Sequence, residues 1–226
     1  MAEENGTHSR STCTIESTDG VTLDGRVYRP TSENNSTVIA VLVHPYSVLG
    51  GCQGLMRGIA RALSSRGVIA VTFDTRGAGK SNGCASLTGS AEINDVISVC
   101  KWVQTTFSTN RIILIGSSAG AAIAGSAVDQ VEQVVGYVGL GYPFGFTVSI
   151  LFGRHQKSIL QSPKPKLFVM GTNDGFTSVR QLENKLKDAA GDNTTHLIQG
   201  ASHFQMEGPA FDGGMANLIL QFITTL

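Results

Sequence analysis

The sequence predicts an α/β protein built on a mostly parallel central sheet with helices on both faces. The first observation behind this prediction is a series of short apolar runs rich in β-branched residues, which are typical of strands buried on both faces. The second is that segments with helical spacing lie between these runs, so strand and helix alternate at least five times. A parallel strand pair needs a crossover connection, and the intervening helices supply it.

The predicted parallel strands are residues 38–43, 68–73, 111–115, 134–140, 167–170 and 195–198. Each predicted helix carries one apolar stripe, formed by Leu55, Ile59 and Leu63, by Ile93, Val96, Ile97, Cys100 and Val103, by Val179, Leu182 and Leu186, and by Met215, Leu218, Ile219 and Phe222. Residues 121–128, mostly small, predict one more helix. In such a sheet, the loops that carry chemistry gather at the carboxyl ends of the strands.

Two further segments complete the predicted architecture. Polar and apolar residues alternate over residues 13–17 and 21–28 around a turn dipeptide, Asp19-Gly20, which predicts an N-terminal antiparallel hairpin. We expect the polar residues 1–12 to be disordered and residues 13–226 to form a single domain. Residues 144–165 read as an irregular stretch that is too short for a large cap domain, so we expect a small lid or a rim.

The composition favours a packed globular protein with a small-molecule partner. Hydrophobic residues make up 41% of the chain and charged residues 15%. The 17 basic and 17 acidic residues balance, and the basic ones form no cluster, which argues against nucleic acid or a membrane as partner. The first twelve residues lack the apolar run of a secretory signal, so we expect a cytoplasmic protein, either a monomer or a weak homodimer. The four cysteines lack metal-ligand spacing, and we expect neither a metal nor a cofactor.

The most specific motif is a Gly-x-Ser-x-Gly segment centred on Ser118. It follows a predicted strand and precedes the small-residue helix, which is the context that a nucleophile elbow requires. Glycines at both flanks remove side chains that would collide with the neighbouring strand and helix, and the helix behind the serine favours developing negative charge. Ser117 also carries a hydroxyl, but it occupies the first variable position of the motif, so Ser118 is preferred as the nucleophile. The alternative is a simple helix-entry or phosphate-binding turn.

A serine needs a positioned base, and His203 is the best-placed histidine. It directly follows the last predicted strand, so a loop at the carboxyl edge of the sheet brings it back toward Ser118. His196 lies within that strand and His8 in the polar terminus, so neither is expected to act. His155 lies in the irregular stretch and would at most line the pocket.

The base needs an acid that fixes its tautomer, and Asp174 satisfies the chain order serine, acid, histidine. It lies in a turn that follows a predicted strand. Its alternative role is that of an Asp-Gly turn residue or a helix cap. Asp188 and Asp192 also precede His203, but they lie near a helix end rather than a strand end.

Two backbone amides are expected to stabilise the oxyanion that forms when a serine attacks a carbonyl. One is the amide of Ala119, which follows the nucleophile. We assign the other to Tyr46 in the loop after the first parallel strand, with Ser47 as the alternative. His44 in the same loop is expected to bond the loop backbone rather than to act in catalysis.

In combination, these motifs resemble the α/β-hydrolase superfamily, in particular its small lidless members such as dienelactone hydrolases and serine esterases. His44-Pro45 with Gly50-Gly51, the turn from Asp74 to Ser81, the elbow, the segment from Gly171 to Asp174 and Ser202-His203-Phe204 occur in the order of the family. The resemblance implies the α/β-hydrolase fold. It also implies that the turn from Asp74 to Ser81 is structural and that Asp74 and Arg76 hold it in place. Dienelactone hydrolases carry a cysteine where this chain has Ser118, which argues against their lactone chemistry.

The expected function is hydrolysis of a carboxylic ester through a Ser118-His203-Asp174 triad and an acyl-enzyme. The expected substrate is small and hydrophobic or aromatic, because the residues expected to bind it are mostly apolar: Tyr46, Ser47, Val48, Leu49, Phe144, Phe146 and Phe152. Core packing is the alternative role for these side chains. The same triad would serve an acyltransferase or a thioesterase, and a ligand receptor on this fold is the rival from another class.

Overall fold

The computed structural model describes residues 3–5, 8–31 and 36–226. Its strands are β1 (Glu3–Asn5), β2 (His8–Glu16), β3 (Thr22–Pro30), β4 (Ile39–Val43), β5 (Ala70–Phe73), β6 (Ile112–Ser117), β7 (Val134–Leu140), β8 (Lys166–Gly171) and β9 (Asn193–Ile198). Its α-helices are α1 (Arg57–Ser64), α2 (Glu92–Phe107), α3 (Ala119–Ala127), α4 (Phe146–Gln161), α5 (Val179–Leu186) and α6 (Asp212–Ile223). No helix in these described ranges is long and apolar enough to cross a membrane.

The strands form one sheet in the order β1-β2-β3-β5-β4-β6-β7-β8-β9. The six strands from β4 to β9 run parallel, and the register places Val41 of β4 between Val71 of β5 and Leu114 of β6. β1 to β3 are antiparallel, and β3 joins the parallel strands through β5. This arrangement confirms the predicted α/β-hydrolase fold with an N-terminal hairpin.

Alternate residues of the parallel strands face two separate apolar layers. Val41 and Leu114 pack with α2, α3, α4 and α5 on one face of the sheet, whereas Leu42 and Ile115 pack with α1 and α6 on the other. Successive side chains of a strand point to opposite faces, so strands that are apolar throughout require helices on both sides. The central strands are therefore the rigid support from which the carboxyl-end loops extend.

The N-terminal hairpin is longer than predicted. β2 and β3 pair from Glu16 with Thr22 at the turn to His8 with Pro30 at the far end. The expectation of disorder through residue 12 is therefore wrong for residues 3–5 and 8–12, because pairing of β1 with β2 and of β2 with β3 satisfies their backbone hydrogen bonds despite their polar side chains. Residues 1–2 and 6–7 lie outside the described residues.

The stretch that was predicted to be irregular contains α4, a helix of 16 residues. Phe152, His155, Gln156 and Ile159 are all buried, at the spacing of one helix face. Two of these four positions are polar, which interrupts the apolar stripe in the sequence. The helix packs on α3 and on the loop that precedes α2, where His155 bonds the carbonyl oxygen of Thr88 at 2.6 Å.

The turn after β5 has the structural role that the sequence indicated. Asp74 accepts hydrogen bonds from the backbone and the side chain of Gln53, both at 2.8 Å. Arg76 forms a buried ion pair with Asp95 at 2.7 Å and a more exposed one with Asp19 at 2.8 Å. These contacts tie the turn to α2, to the hairpin and to the segment before α1, close to the loop that follows β4.

Candidate active site

Ser118 lies at the tight turn between β6 and α3. Its backbone has φ 54° and ψ −125°, which is a strained conformation for a residue other than glycine. The Ser118 amide donates to the carbonyl oxygen of Leu140 at 2.8 Å, and its carbonyl oxygen accepts from Ala121 at 2.9 Å. These bonds hold the hydroxyl at the carboxyl edge of the sheet, as a nucleophile elbow requires.

The glycines on either side of Ser118 are required by close backbone contacts. A Cβ on Gly116 would lie 2.4 Å from the carbonyl oxygen of Gly120. A Cβ on Gly120 would lie 2.1 Å from the carbonyl oxygen of His44. Because the colliding atoms belong to backbone, no side-chain rotation relieves them, and glycine alone allows α3 to start this close to β4.

Ser118, His203 and Asp174 form a continuous hydrogen-bonded chain. Nε2 of His203 lies 2.8 Å from Oγ of Ser118, and Nδ1 lies 2.6 Å from Oδ2 of Asp174. An ionised carboxylate accepts only, so Nδ1 carries the proton and Nε2 is left to accept from the serine hydroxyl. The arrangement is the one in which a histidine removes the proton of an attacking serine.

Contacts between two loops bring Asp174 and His203 together. The loop after β8 donates from the Asn173 amide to the carbonyl oxygen of Ala201 at 3.0 Å, and the Gly200 amide donates to Oγ1 of Thr172 at 2.9 Å. Since β8 and β9 are neighbouring parallel strands, these loops leave the same edge of the sheet. Residues that are far apart in sequence are thereby held side by side.

The surroundings keep Asp174 ionised. Burial raises its pKa, but the hydrogen bond and charge of His203 and the amides of Phe176 and Thr177 outweigh burial, so the pKa lies below its ordinary value. Both amides donate to Oδ1, at 2.8 and 2.9 Å. The carboxylate is thus fixed in position and able to stabilise an imidazolium at His203.

Aromatic rings enclose the histidine. The ring of Phe176 lies edge-on to His203 at a centroid distance of 4.5 Å, and Phe204 lies at 5.4 Å. His203 is only 3% exposed, so its imidazole is shielded from bulk water. Such shielding strengthens the electrostatic interactions within the site.

A pocket of about 530 Å³ opens onto Ser118. Its walls are mostly apolar, and the lining residues are Pro45, Tyr46, Leu49, Gly50, Gly51, Leu55, Ser118, Ala119, Pro143, Phe152, Phe176, Phe204 and Glu207. The pocket is within the size range of small-molecule sites. A small ligand in it would contact the nucleophile directly.

Three of the residues expected to bind substrate line this pocket, namely Tyr46, Leu49 and Phe152. Ser47 and Val48 belong to the same loop but are not among the lining residues. The prediction that Phe144 binds substrate is wrong, because its side chain is buried in the core and stacks on Tyr142 at a centroid distance of 4.2 Å. The side chain of Phe146 lies outside the described residues.

The structure adds Phe176, Phe204 and Glu207 to the pocket, none of which was expected from the sequence. Phe176 follows Asp174 by two residues, and Phe204 directly follows His203. Their positions in loops at the carboxyl ends of β8 and β9 were the available signal, because such loops converge on one site.

Two other buried histidines, His44 and His155, form hydrogen bonds that hold the structure around them. His44 bonds the carbonyl oxygen of Pro45 through Nδ1 at 2.6 Å, and its Nε2 accepts from the Thr75 amide at 3.0 Å. Burial lowers the pKa of His44, which keeps it neutral in this role. His155 bonds Ser126 as well as Thr88. The described part of the chain holds no group of three or more His, Cys, Asp or Glu side chains that could bind a metal.

Comparison with solved structures identifies similar folds. An α/β serine hydrolase homologue from Coxiella burnetii is 26% identical, with 96% of this chain and 97% of that chain covered and a TM-score of 0.78. A serine hydrolase without a lid from Xanthomonas campestris is 22% identical, with coverages of 98% and 96% and a TM-score of 0.78. An esterase from Pyrococcus furiosus is 20% identical, with coverages of 96% and 92% and a TM-score of 0.75. No curated protein matches this sequence closely enough to count as a relative.

A family model provides the assignment. The model described as X-Pro dipeptidyl-peptidase (S15 family) matches residues 19–137, which is more than half of the chain and includes the elbow around Ser118. Asp174 and His203 lie beyond the matched segment, and it is the fold that brings them to the elbow. The chain therefore belongs to the X-Pro dipeptidyl-peptidase (S15) family and has the fold of the α/β-hydrolase superfamily.

Proposed function

We propose that this protein hydrolyses carboxylic esters of small hydrophobic or aromatic substrates through an acyl-enzyme on Ser118. The observation that carries the proposal is the hydrogen-bonded chain from Ser118 through His203 to Asp174, at 2.8 and 2.6 Å. In the first step His203 takes the serine proton while Oγ attacks the ester carbonyl, and then protonates the departing alcohol. Water attacks the acyl-enzyme in the second step with the same histidine as base. Asp174 remains ionised throughout.

The oxyanion of each tetrahedral intermediate would be stabilised by the amides of Ala119 and Tyr46. Ala119 is the first residue of α3, so its N–H is one of the helix-terminal donors without an intrahelical acceptor. Tyr46 precedes a short 3-10 helix, Ser47–Leu49, and lines the pocket together with Ala119. Fixed backbone donors of this kind stabilise charge that develops in the transition state.

The pocket favours an apolar substrate. Leu49 is 81% exposed and Phe204 68%, and both border the opening of the pocket. Within the pocket, Tyr46 and Phe152 meet edge to face at a centroid distance of 5.5 Å. Apolar and aromatic walls of this kind bind acyl or aryl groups by removing their surface from water.

The first experiment combines a fluorophosphonate probe with a panel of substrates. The panel contains aryl and short-chain alkyl esters, a thioester, and an X-Pro p-nitroanilide, which represents the substrate in the name of the family. Wild type is compared with Ser118→Ala and with Ser158→Ala, a matched control in which an exposed serine of α4 is changed. All three are used at equal folded concentration.

We expect labelling and ester turnover in wild type and in Ser158→Ala, and loss of both in Ser118→Ala. Aryl esters of small acids should give the highest kcat/KM. Turnover that is faster with the thioester, or with an added alcohol as acceptor, would assign a thioesterase or an acyltransferase instead. If folded wild type is not labelled, the proposed hydrolysis is wrong and a ligand-binding role takes its place.

A further inference from the structure

Glu207 is the one carboxylate among the residues that line the pocket of Ser118. We propose that Glu207 determines substrate specificity by pairing with a cationic group of the substituted ammonium type on the ester that this pocket binds. The inference rests on the proposed ester hydrolysis and names the class of substrate for it. Neither the hydrogen-bonded chain nor the oxyanion donors require a carboxylate at this position.

The position of Glu207 is fixed close to the nucleophile. It ends the short 3-10 helix Phe204–Glu207, one turn after His203. Its Oε1 accepts a hydrogen bond from Oγ of Ser117 at 3.5 Å, and Ser117 is the residue directly before Ser118. A substrate whose carbonyl lies at Ser118 therefore places its neighbouring atoms within reach of this carboxylate.

No lysine, arginine or histidine in the described ranges forms an ion pair with Glu207. The ion pairs found there involve Asp19, Asp24, Asp95 and Asp174. Burial raises the pKa of Glu207, although the charge of His203 and the hydrogen bond from Ser117 oppose this effect. Since burial still outweighs these two effects, a cation on the ligand would offset the remaining desolvation cost of the carboxylate.

The surroundings of Glu207 also favour a cation. The rings of Tyr46, Phe176 and Phe204 line the same pocket, and aromatic faces attract ammonium groups, quaternary ones in particular. An anionic ester would meet repulsion at the same place.

The test uses two pairs of isosteric substrates that differ only in charge. Butyrylthiocholine is compared with 3,3-dimethylbutyl thiobutyrate, which places the cation on the leaving group. The p-nitrophenyl ester of 4-(trimethylammonio)butanoate is compared with that of 5,5-dimethylhexanoate, which places it on the acyl group. Values of kcat/KM are measured for wild type, for Glu207→Gln and for Glu183→Gln, a control that removes an exposed carboxylate of α5.

We expect wild type and Glu183→Gln to favour the cationic member of at least one pair by about tenfold or more in kcat/KM. In Glu207→Gln this preference should disappear, because KM rises more for the cationic ester than for its neutral isostere. The glutamine retains the shape of the side chain and the bond to Ser117. Equal fluorophosphonate labelling of all three proteins shows that the variants are folded.

Two results would overturn the role of Glu207 without touching the proposed hydrolysis. One is turnover of the neutral esters with no preference for the cationic member of either pair. The other is an equal loss of kcat for cationic and neutral esters in Glu207→Gln, which would show that the carboxylate acts on His203 instead. Failure of wild type to react with the probe or with any ester would contradict hydrolysis itself, and the substrate class with it.

Discussion

A methyl group added at Gly120 tests whether the close approach of α3 to β4 sets the geometry of the nucleophile. In Gly120→Ala the new Cβ would lie 2.1 Å from the carbonyl oxygen of His44 and 2.7 Å from that of Val43. Ordinary contact begins at 3.4 Å, so the two backbones must separate by about 1.3 Å. The start of α3 moves with this separation, and Ser118 and the Ala119 amide move with it.

The expected costs follow from this displacement. Overpacking of this kind destabilises a protein by about 2 kcal/mol, which lowers the Tm of a chain of this length by about 4–8 °C. A shift of roughly 1 Å between reacting groups reduces the rate by about 100-fold. We therefore expect Gly120→Ala to remain folded at 25 °C, with kcat/KM for an aryl ester and the rate of fluorophosphonate labelling both reduced by about this factor.

Gly213→Ala is the matched control. Gly213 lies in the first turn of α6, and a Cβ there would meet no atom within 4 Å. Alanine favours a helix over glycine by up to about 1 kcal/mol, so Tm should stay level or rise, and activity should not change. A Gly120→Ala variant with the Tm and labelling rate of wild type would refute the argument. The methyl group would then fit between α3 and β4 without displacing either element.

Three further predictions concern the acid of the site and a buried ion pair. Asp174→Asn should fold but lower kcat by about 10⁴-fold in ester assays, since an amide no longer selects the Nδ1–H tautomer of His203. Because the pKa of Asp174 is depressed in the folded protein, its stabilising effect is complete above the ordinary aspartate pKa of about 3.9 and is lost as the pH falls through the folded value. The difference in urea-unfolding stability between wild type and Asp174→Asn should therefore shrink as the pH falls below about 3.9. A constant difference would contradict the assignment. Asp95→Ala should cost about 3 kcal/mol in urea unfolding, because it leaves Arg76 buried without its main partner. Asp19→Ala removes the exposed partner of Arg76 and should cost clearly less. Equal costs would show that burial does not distinguish the two pairs.

Regular patterns in the sequence were sufficient to predict most of the architecture. Strands such as β7 (Val134–Leu140) are continuous apolar runs because both of their faces are buried, and a local pattern records this directly. The residues at Ser118, Asp174 and His203 were selected in the same way, from motifs that follow strands. The helix α4 was missed because polar residues, His155 and Gln156, occupy its buried face, and the partner of His155, Thr88, lies far away in sequence.

The sequence by itself determined the fold class, the elbow and the three residues proposed for catalysis, because each depends on local backbone preferences or on the order of elements along the chain. Only the tertiary structure decided which side chains form the pocket. Phe144 turned into the core, whereas Phe176, Phe204 and Glu207 came to the site from loops after β8 and β9. The direction in which a loop side chain points depends on contacts between distant segments, such as Asn173 with Ala201, and no local pattern carries that information.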